Sequence, residues 1–88
     1  MNITIVGAGR VGVYLSKYFA DEQQDVFLVD NDPKHLAILE SDFNLRTYCG
    51  DPTDFATLRE ANSENSDIFV AVTANTAVNI AMIDFFIL

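Results

Sequence analysis

The sequence predicts a doubly wound α/β domain with a parallel sheet in strand order 3-2-1-4. Three observations predict it. An apolar stretch, Asn2–Val6, runs straight into Gly7-Ala8-Gly9-Arg10-Val11-Gly12, a G-x-G-x-x-G spacing that a helical pattern then follows. A second apolar stretch ends in an acid, Asp30, 18 residues beyond Gly12. Apolar stretches and helical patterns go on alternating at intervals suited to βαβ units, with no internal repeat. Right-handed crossovers turn that alternation into the stated order, which reverses between strands one and four.

Each element follows in turn. Strand one is Asn2–Val6. The first helix places Val11, Leu15, Tyr18 and Phe19 at i, i+4, i+7 and i+8, and these are its expected buried face. Strand two is Asp25–Val29. The second helix opens with Asp32 as N-cap and Pro33 at the first helical position, where a missing N–H costs nothing. Its inward side would use Leu36, Leu39 and Phe43. Strand three, Leu45–Cys49, ends at Gly50-Asp51-Pro52, and a Pro-led helix with Phe55, Leu58 and Ala61 inward comes next. Asn62–Ser66 reads as a polar turn. Strand four, Asp67–Val72, is nearly all apolar, which predicts a central parallel strand covered on both faces. The last helix starts near Asn75 or Thr76.

Bulk properties narrow the function. Eighty-eight residues, half of them hydrophobic, make one small domain with a real core. About 60–65% of the unfolded surface could be buried in a chain of this size. Thirteen acids against five Lys and Arg give a formal charge of −8, spread along the chain as solvated surface. Such a field repels nucleic acid and anionic lipid, so any phosphate binding must be local. Cys49 and His35 are the single cysteine and histidine, which excludes a disulfide framework, a thiolate cluster and most imidazole metal sites. A reducing cytoplasm is the simplest setting. The chain enters a strand at once and shows no basic segment of a secretory signal. Ala77 to Leu88 is mostly apolar but interrupted by Asn79 and Asp84, and it falls short of the roughly 20 residues that span a bilayer. It reads as a buried helix whose cover lies beyond Leu88, so the chain is expected to be the front part of a longer protein.

The glycine spacing has a chemistry. Gly7 lets the chain turn off the strand, Gly9 lets a diphosphate approach the backbone, and Gly12 lets the helix pack closely on the sheet. The N–H groups and positive end of that helix face the phosphates. Asp30, at the tip of strand two, can accept hydrogen bonds from both ribose hydroxyls. An ordinary strand-to-helix turn is the competing reading, and Asp30 in register argues against it. Asp30-Asn31-Asp32 offers no arginine for a 2′-phosphate, so NADP is disfavoured relative to NAD, ATP or ADP. Arg10 opposes the helix dipole and is either a solvated surface residue or the partner of a bound phosphate. Asp51 could cap the third helix, accept from an adenine amino group, or do both through different oxygens. Thr73 and Ala74 follow strand four and could offer a hydroxyl or backbone contact from the opposite wall. His35 is expected to face solvent, Cys49 to be a small strand residue, and Tyr14, Tyr18 and Tyr48 to pack or to rim the site. No pairing of nucleophile and base can be placed, so no catalytic residue and no metal ligand is assigned.

Together these segments resemble a known family. Ile5-Val6-Gly7-Ala8-Gly9-Arg10-Val11-Gly12, Val29-Asp30-Asn31-Asp32-Pro33, Leu45-Arg46-Thr47 with Gly50-Asp51, Leu58-Arg59-Glu60-Ala61, and Ala71-Val72-Thr73 with Asn79 are similar in order and spacing to the N-terminal nucleotide-binding domain of the TrkA type. That domain, also called RCK or KTN, belongs to cytoplasmic regulatory subunits of potassium uptake systems. The resemblance spans essentially the whole chain. It implies a Rossmann-like domain that binds NAD(H) or ATP/ADP without chemistry and changes conformation with the ligand. Gly7, Ala8, Gly9, Arg10 and Val11 would contact phosphates, Asp30 the ribose and Asp51 the adenine, with Thr73-Ala74 as the far wall. It also implies dimers or larger rings and docking on a membrane-embedded potassium-translocating subunit. One departure is that Thr76-Ala77 stands where the family often has Asp-Glu, so an acid-dependent ion site or subunit contact is not expected there. Two other functions compete: the cofactor half of an NAD-dependent dehydrogenase, and an assembly domain whose glycine turn binds nothing.

Overall fold

The computed structural model describes residues 1–37, 45–51, 54–60, 65–75 and 77–80. Four strands, β1 (Asn2–Val6), β2 (Asp25–Asp30), β3 (Leu45–Cys49) and β4 (Ile68–Ala71), form one parallel sheet in the expected order β3-β2-β1-β4. Ile5 stands opposite Leu28 on one side and Val70 on the other, while Asp30 stands opposite Cys49.

Period-two alternation sorts the side chains. Ile3, Ile5, Val26 and Leu28 share one face and are buried together with Ala8, Ala20, Leu36 and Leu45. Helices α1 (Arg10–Asp21) and α2 (Pro33–Ala37) cover that face through Val13, Leu15, Phe19 and Leu36. Each fully buried Ile or Leu there contributes about 1.5–3 kcal/mol. The other face holds a smaller cluster of Val6 and Val29, packed by Tyr48, Phe69, Ala71 and Val78. Thr4 is the buried polar exception on that side, and its hydroxyl is hydrogen-bonded to that of Ser66.

The expected face of α1 is corrected in part. Leu15 and Phe19 pack on the core, but Val11 is 58% and Tyr18 51% exposed. The buried stripe is Gly12, Ser16 and Ala20. The cause is the closeness of the helix to the glycine turn: a Cβ on Gly12 would lie 1.7 Å from the Gly7 carbonyl oxygen. Only small side chains fit beneath the helix axis, and larger ones are pushed to its flanks and outer side. The Ser16 hydroxyl is satisfied by donating to the Gly12 carbonyl at 2.7 Å. Tyr14 is surface rather than packing, and Tyr18 meets Phe19 edge-on.

Asp32 caps α2 as expected, its Oδ1 accepting the Lys34 N–H at 2.9 Å. Leu39 and Phe43 lie outside the described residues. Helix α3 (Phe55–Glu60) is capped by Asp54, whose Oδ1 accepts the Ala56 N–H at 3.0 Å. The Asp51 carbonyl in turn accepts the Asp54 N–H at 3.0 Å. Ala61 and the inward placement expected of Phe55 and Leu58 also lie outside what is described. Strand β4 is shorter than the expected Asp67–Val72, and among the described residues it is not covered on both faces. Ile68 is exposed and Phe69, Val70 and Ala71 are half-buried, because among the described residues only β1 pairs with β4. A helical turn at 77–80 starts from Asn75, as expected, with the Asn75 Oδ1 accepting the Val78 N–H at 3.1 Å.

Candidate functional site

A cleft of about 410 Å³ opens beyond the C-terminal ends of the strands, where the strand order reverses between β1 and β4. That volume suits a small organic ligand. Gly7, Ala8 and Gly9 form its floor, Asp30, Asn31, His35 and Asp51 one side, and Val72, Thr73, Ala74, Asn75 and Val78 the other. Seven sequence-predicted residues thus come together: Gly7, Ala8, Gly9, Asp30, Asp51, Thr73 and Ala74. Arg10, Val11 and Gly12 do not line the cleft. Arg10 and Val11 stand exposed on the first turn of α1, and Gly12 lies buried under it.

The floor is set by main-chain geometry. Gly7 has φ +110°, and a Cβ there would come within 2.8 Å of the Val72 carbonyl oxygen. Its N–H donates to the Val29 carbonyl at 2.8 Å, so the turn is held between the exits of β2 and β4. Gly9 is different. Its φ of −76° suits any residue, and a Cβ would meet nothing within 4 Å. Among the described residues no neighbour and no dihedral demands glycine at position 9. Its bare side opens on the cleft, which fits a ligand that approaches the backbone closely.

Asp30 ends β2 with its side chain mostly buried, 15% exposed. Its Oδ1 accepts the Ala8 N–H at 3.1 Å, which ties the acid to the glycine turn. Its Oδ2 accepts the Asp32 N–H at 3.0 Å and lies 3.0 Å from His35 Nδ1. His35 was expected to face solvent, and it is 53% exposed, yet its Nε2 also lies 3.5 Å from Asp32 Oδ2. The imidazole therefore rests between two carboxylates at the cleft's edge. The spacing Asp30-x-Asp32-x-x-His35 around a strand-to-helix turn is the signal that could have found it.

The far wall is held by side-chain amides. Asn79 Oδ1 accepts the Thr73 N–H at 3.0 Å and lies 2.5 Å from the Thr73 hydroxyl, while its Nδ2 donates to the Thr73 carbonyl at 3.1 Å. The Thr73 hydroxyl also accepts the Asn75 N–H at 3.2 Å. Asn79 does not line the cleft but fixes the residue that does. Cys49 is exposed at the end of β3, its thiol 3.7 Å from the Asn31 carbonyl.

A glycine turn feeding a helix, an acid at the tip of the second strand, and a crevice at the reversal of strand order define the Rossmann-like class. Within that class the TrkA-N domain matches residues 3–85, and the chain belongs to that family. It is 39% identical over 79 residues to a Trk system potassium uptake protein TrkA of Haemophilus influenzae, covering 90% of this chain and 17% of that protein. It is 38% identical over 80 residues to a TrkA homolog of Methanothermobacter thermautotrophicus, covering 91% of this chain and 37% of that one. The chain therefore spans a minor part of these relatives. Among solved structures, the AMP-bound Kef CTD of Shewanella denitrificans shares the fold, with a TM-score of 0.81 at 15% identity, over 97% of this chain and 50% of that chain. No helix among the described residues is long and apolar enough to cross a membrane.

Proposed function

We propose that this chain is the nucleotide-sensing domain of a potassium uptake regulator. It binds NAD(H) or ATP/ADP at the cleft without chemistry and passes the bound state to a membrane potassium-translocating subunit. The observation that carries the binding half is the pair formed by Gly9 and Asp30: a glycine that nothing among the described residues requires, facing the cleft, beside a carboxylate tied to the same turn. Phosphates would meet the main chain of Gly7 to Gly9 on the cleft floor, Asp30 would hold the ribose, Asp51 would lie toward the adenine, and Thr73-Ala74 would close the other side. The AMP in the Kef structure supports an adenine nucleotide as the class of ligand. The family and the named relatives support the regulatory reading over a dehydrogenase. The domain would act at the cytoplasmic face of the membrane, paired or in larger rings. Nucleotide would shift those assemblies only by binding one arrangement more tightly than another.

Calorimetric titration with NADH, NAD, ATP, ADP, AMP and NADPH tests the reading, with Asp30→Ala as control. At least one ligand with a free ribose should bind, and NADPH should bind more weakly than NADH. The substitution removes a charge-assisted hydrogen bond and should cost about 1.5–3 kcal/mol. Equal affinity in both proteins would rule Asp30 out as the ribose acid.

A further inference from the structure

We propose that His35 is a gate on the ribose site, a side chain that occupies the Asp30 oxygen a ribose hydroxyl needs and swings aside when nucleotide binds. This rests on the reading of Asp30 as the ribose acid. A carboxylate offers about four lone-pair positions, two on each oxygen. Asp30 Oδ2 already has two donors, the Asp32 N–H at 3.0 Å and His35 Nδ1 at 3.0 Å, and Oδ1 has one, the Ala8 N–H at 3.1 Å. A single position remains, on Oδ1. A ribose presents two hydroxyls, so Asp30 can accept from both only if a donor departs.

Two of the three donors cannot depart cheaply. The Ala8 N–H belongs to the glycine turn, fixed by the Gly7 N–H on the Val29 carbonyl. The Asp32 N–H belongs to the residue that caps α2. His35 is the third, and it is a half-exposed side chain that rotation about its Cα–Cβ bond carries into solvent. Asp32 Oδ2, 3.5 Å from Nε2, steadies the closed position. The closed gate leaves a nucleotide one ribose hydrogen bond short, and because only a fraction of molecules stand open, apparent affinity is reduced to that fraction of the open form's. A ligand without ribose hydroxyls does not need the gate open.

The test is calorimetric titration of the wild-type protein, His35→Ala and Asp30→Ala with ATP, ADP, NADH and 2′,3′-dideoxy-ATP. His35 is half-exposed, and among the described residues its side chain pairs only with the Asp30 and Asp32 carboxylates, so its replacement leaves the fold in place. His35→Ala should bind ATP, ADP or NADH about three- to tenfold more tightly, with 2′,3′-dideoxy-ATP unchanged. The ¹⁵N resonance of His35 Nδ1 should also move on addition of ATP as its contact with Asp30 is lost. Weaker or unchanged binding by His35→Ala, while Asp30→Ala is impaired, would overturn the gate and leave the ribose acid standing. A gain that extends equally to the dideoxy nucleotide would overturn it too. Absence of binding to wild type and His35→Ala alike, or indifference to Asp30→Ala, would remove the ribose reading itself and the gate with it.

Discussion

On the floor of the cleft, main chain meets main chain; on the far wall, side-chain amides hold the main chain. Gly7 and Gly12 bring the turn, the helix and the exit of β4 to distances at which a single Cβ has no room. Thr73 is held instead by Asn79 and Asn75, through hydrogen bonds that exchange with water at modest cost. A close-packed backbone has one arrangement, whereas a polar clamp can open and re-form. If the cleft takes a nucleotide as proposed, the floor would fix where phosphates sit and the far wall would be the part able to respond.

Breaking the floor should have the largest effect. Gly12→Ala places a methyl 1.7 Å from the Gly7 carbonyl oxygen, so α1 must lift from the turn. The cost should reach about 3 kcal/mol, the upper end for overpacking, because the obstacle is backbone and cannot rotate away. In a domain of this size that lowers Tm by more than about 10 °C, which calorimetry or thermal circular dichroism would detect. Gly7→Ala should follow at about 2 kcal/mol, since φ +110° strains any side chain and the nearest obstacle is 2.8 Å away. An unchanged Tm in either variant would mean that the floor relaxes as readily as the wall.

The wall should yield more gently. Asn79→Ala leaves the Thr73 N–H and carbonyl without their partner and should cost about 1–2 kcal/mol. Hydrogen exchange at the Thr73 amide should rise while that of Ile5, in the middle of the sheet, stays slow. Asn79→Asp keeps an acceptor for the Thr73 N–H but sets a carboxylate oxygen against the Thr73 carbonyl, so it should not restore wild-type protection. If exchange at Thr73 were the same in all three, the clamp would not be what holds this wall.

The sequence made the floor more legible than the wall. Apolar runs marked β1 and β3 to the residue, and the glycine spacing with Asp30 marked the turn and the acid tied to it. Those signals are local and follow from backbone geometry. The face of α1 was misjudged because helical periodicity is counted on large apolar residues, while close approach to the sheet selects small ones, so Gly12, Ser16 and Ala20 went unread beside Val11 and Tyr18. Asp54, which the sequence reading did not name, supplies a side-chain cap of α3. His35 reaches the cleft across a turn, and Asn79 holds Thr73 from the next helix. Such relations depend on rotamers and on where an element begins, and composition carries neither.

The smallest expected effect on stability is the sharpest test of the comparison. Gly9 shares the glycine turn with Gly7 and Gly12 yet has neither the positive φ of Gly7 nor the crowding of both. If the floor's glycines were all structural, Gly9→Ala should destabilise like its neighbours. If Gly9 is bare because a ligand's phosphates lie against it, stability should stay within about 0.5 kcal/mol. Affinity for a phosphate-bearing ligand such as ADP should nevertheless fall by about tenfold or more, equivalent to at least 1.4 kcal/mol of binding. Adenosine, which carries the ribose and base but no phosphate, should lose little. Equal losses for ADP and adenosine would place the methyl against the nucleoside rather than the phosphates. A protein that melts earlier but binds ADP as before would return Gly9 to the same structural role as Gly12.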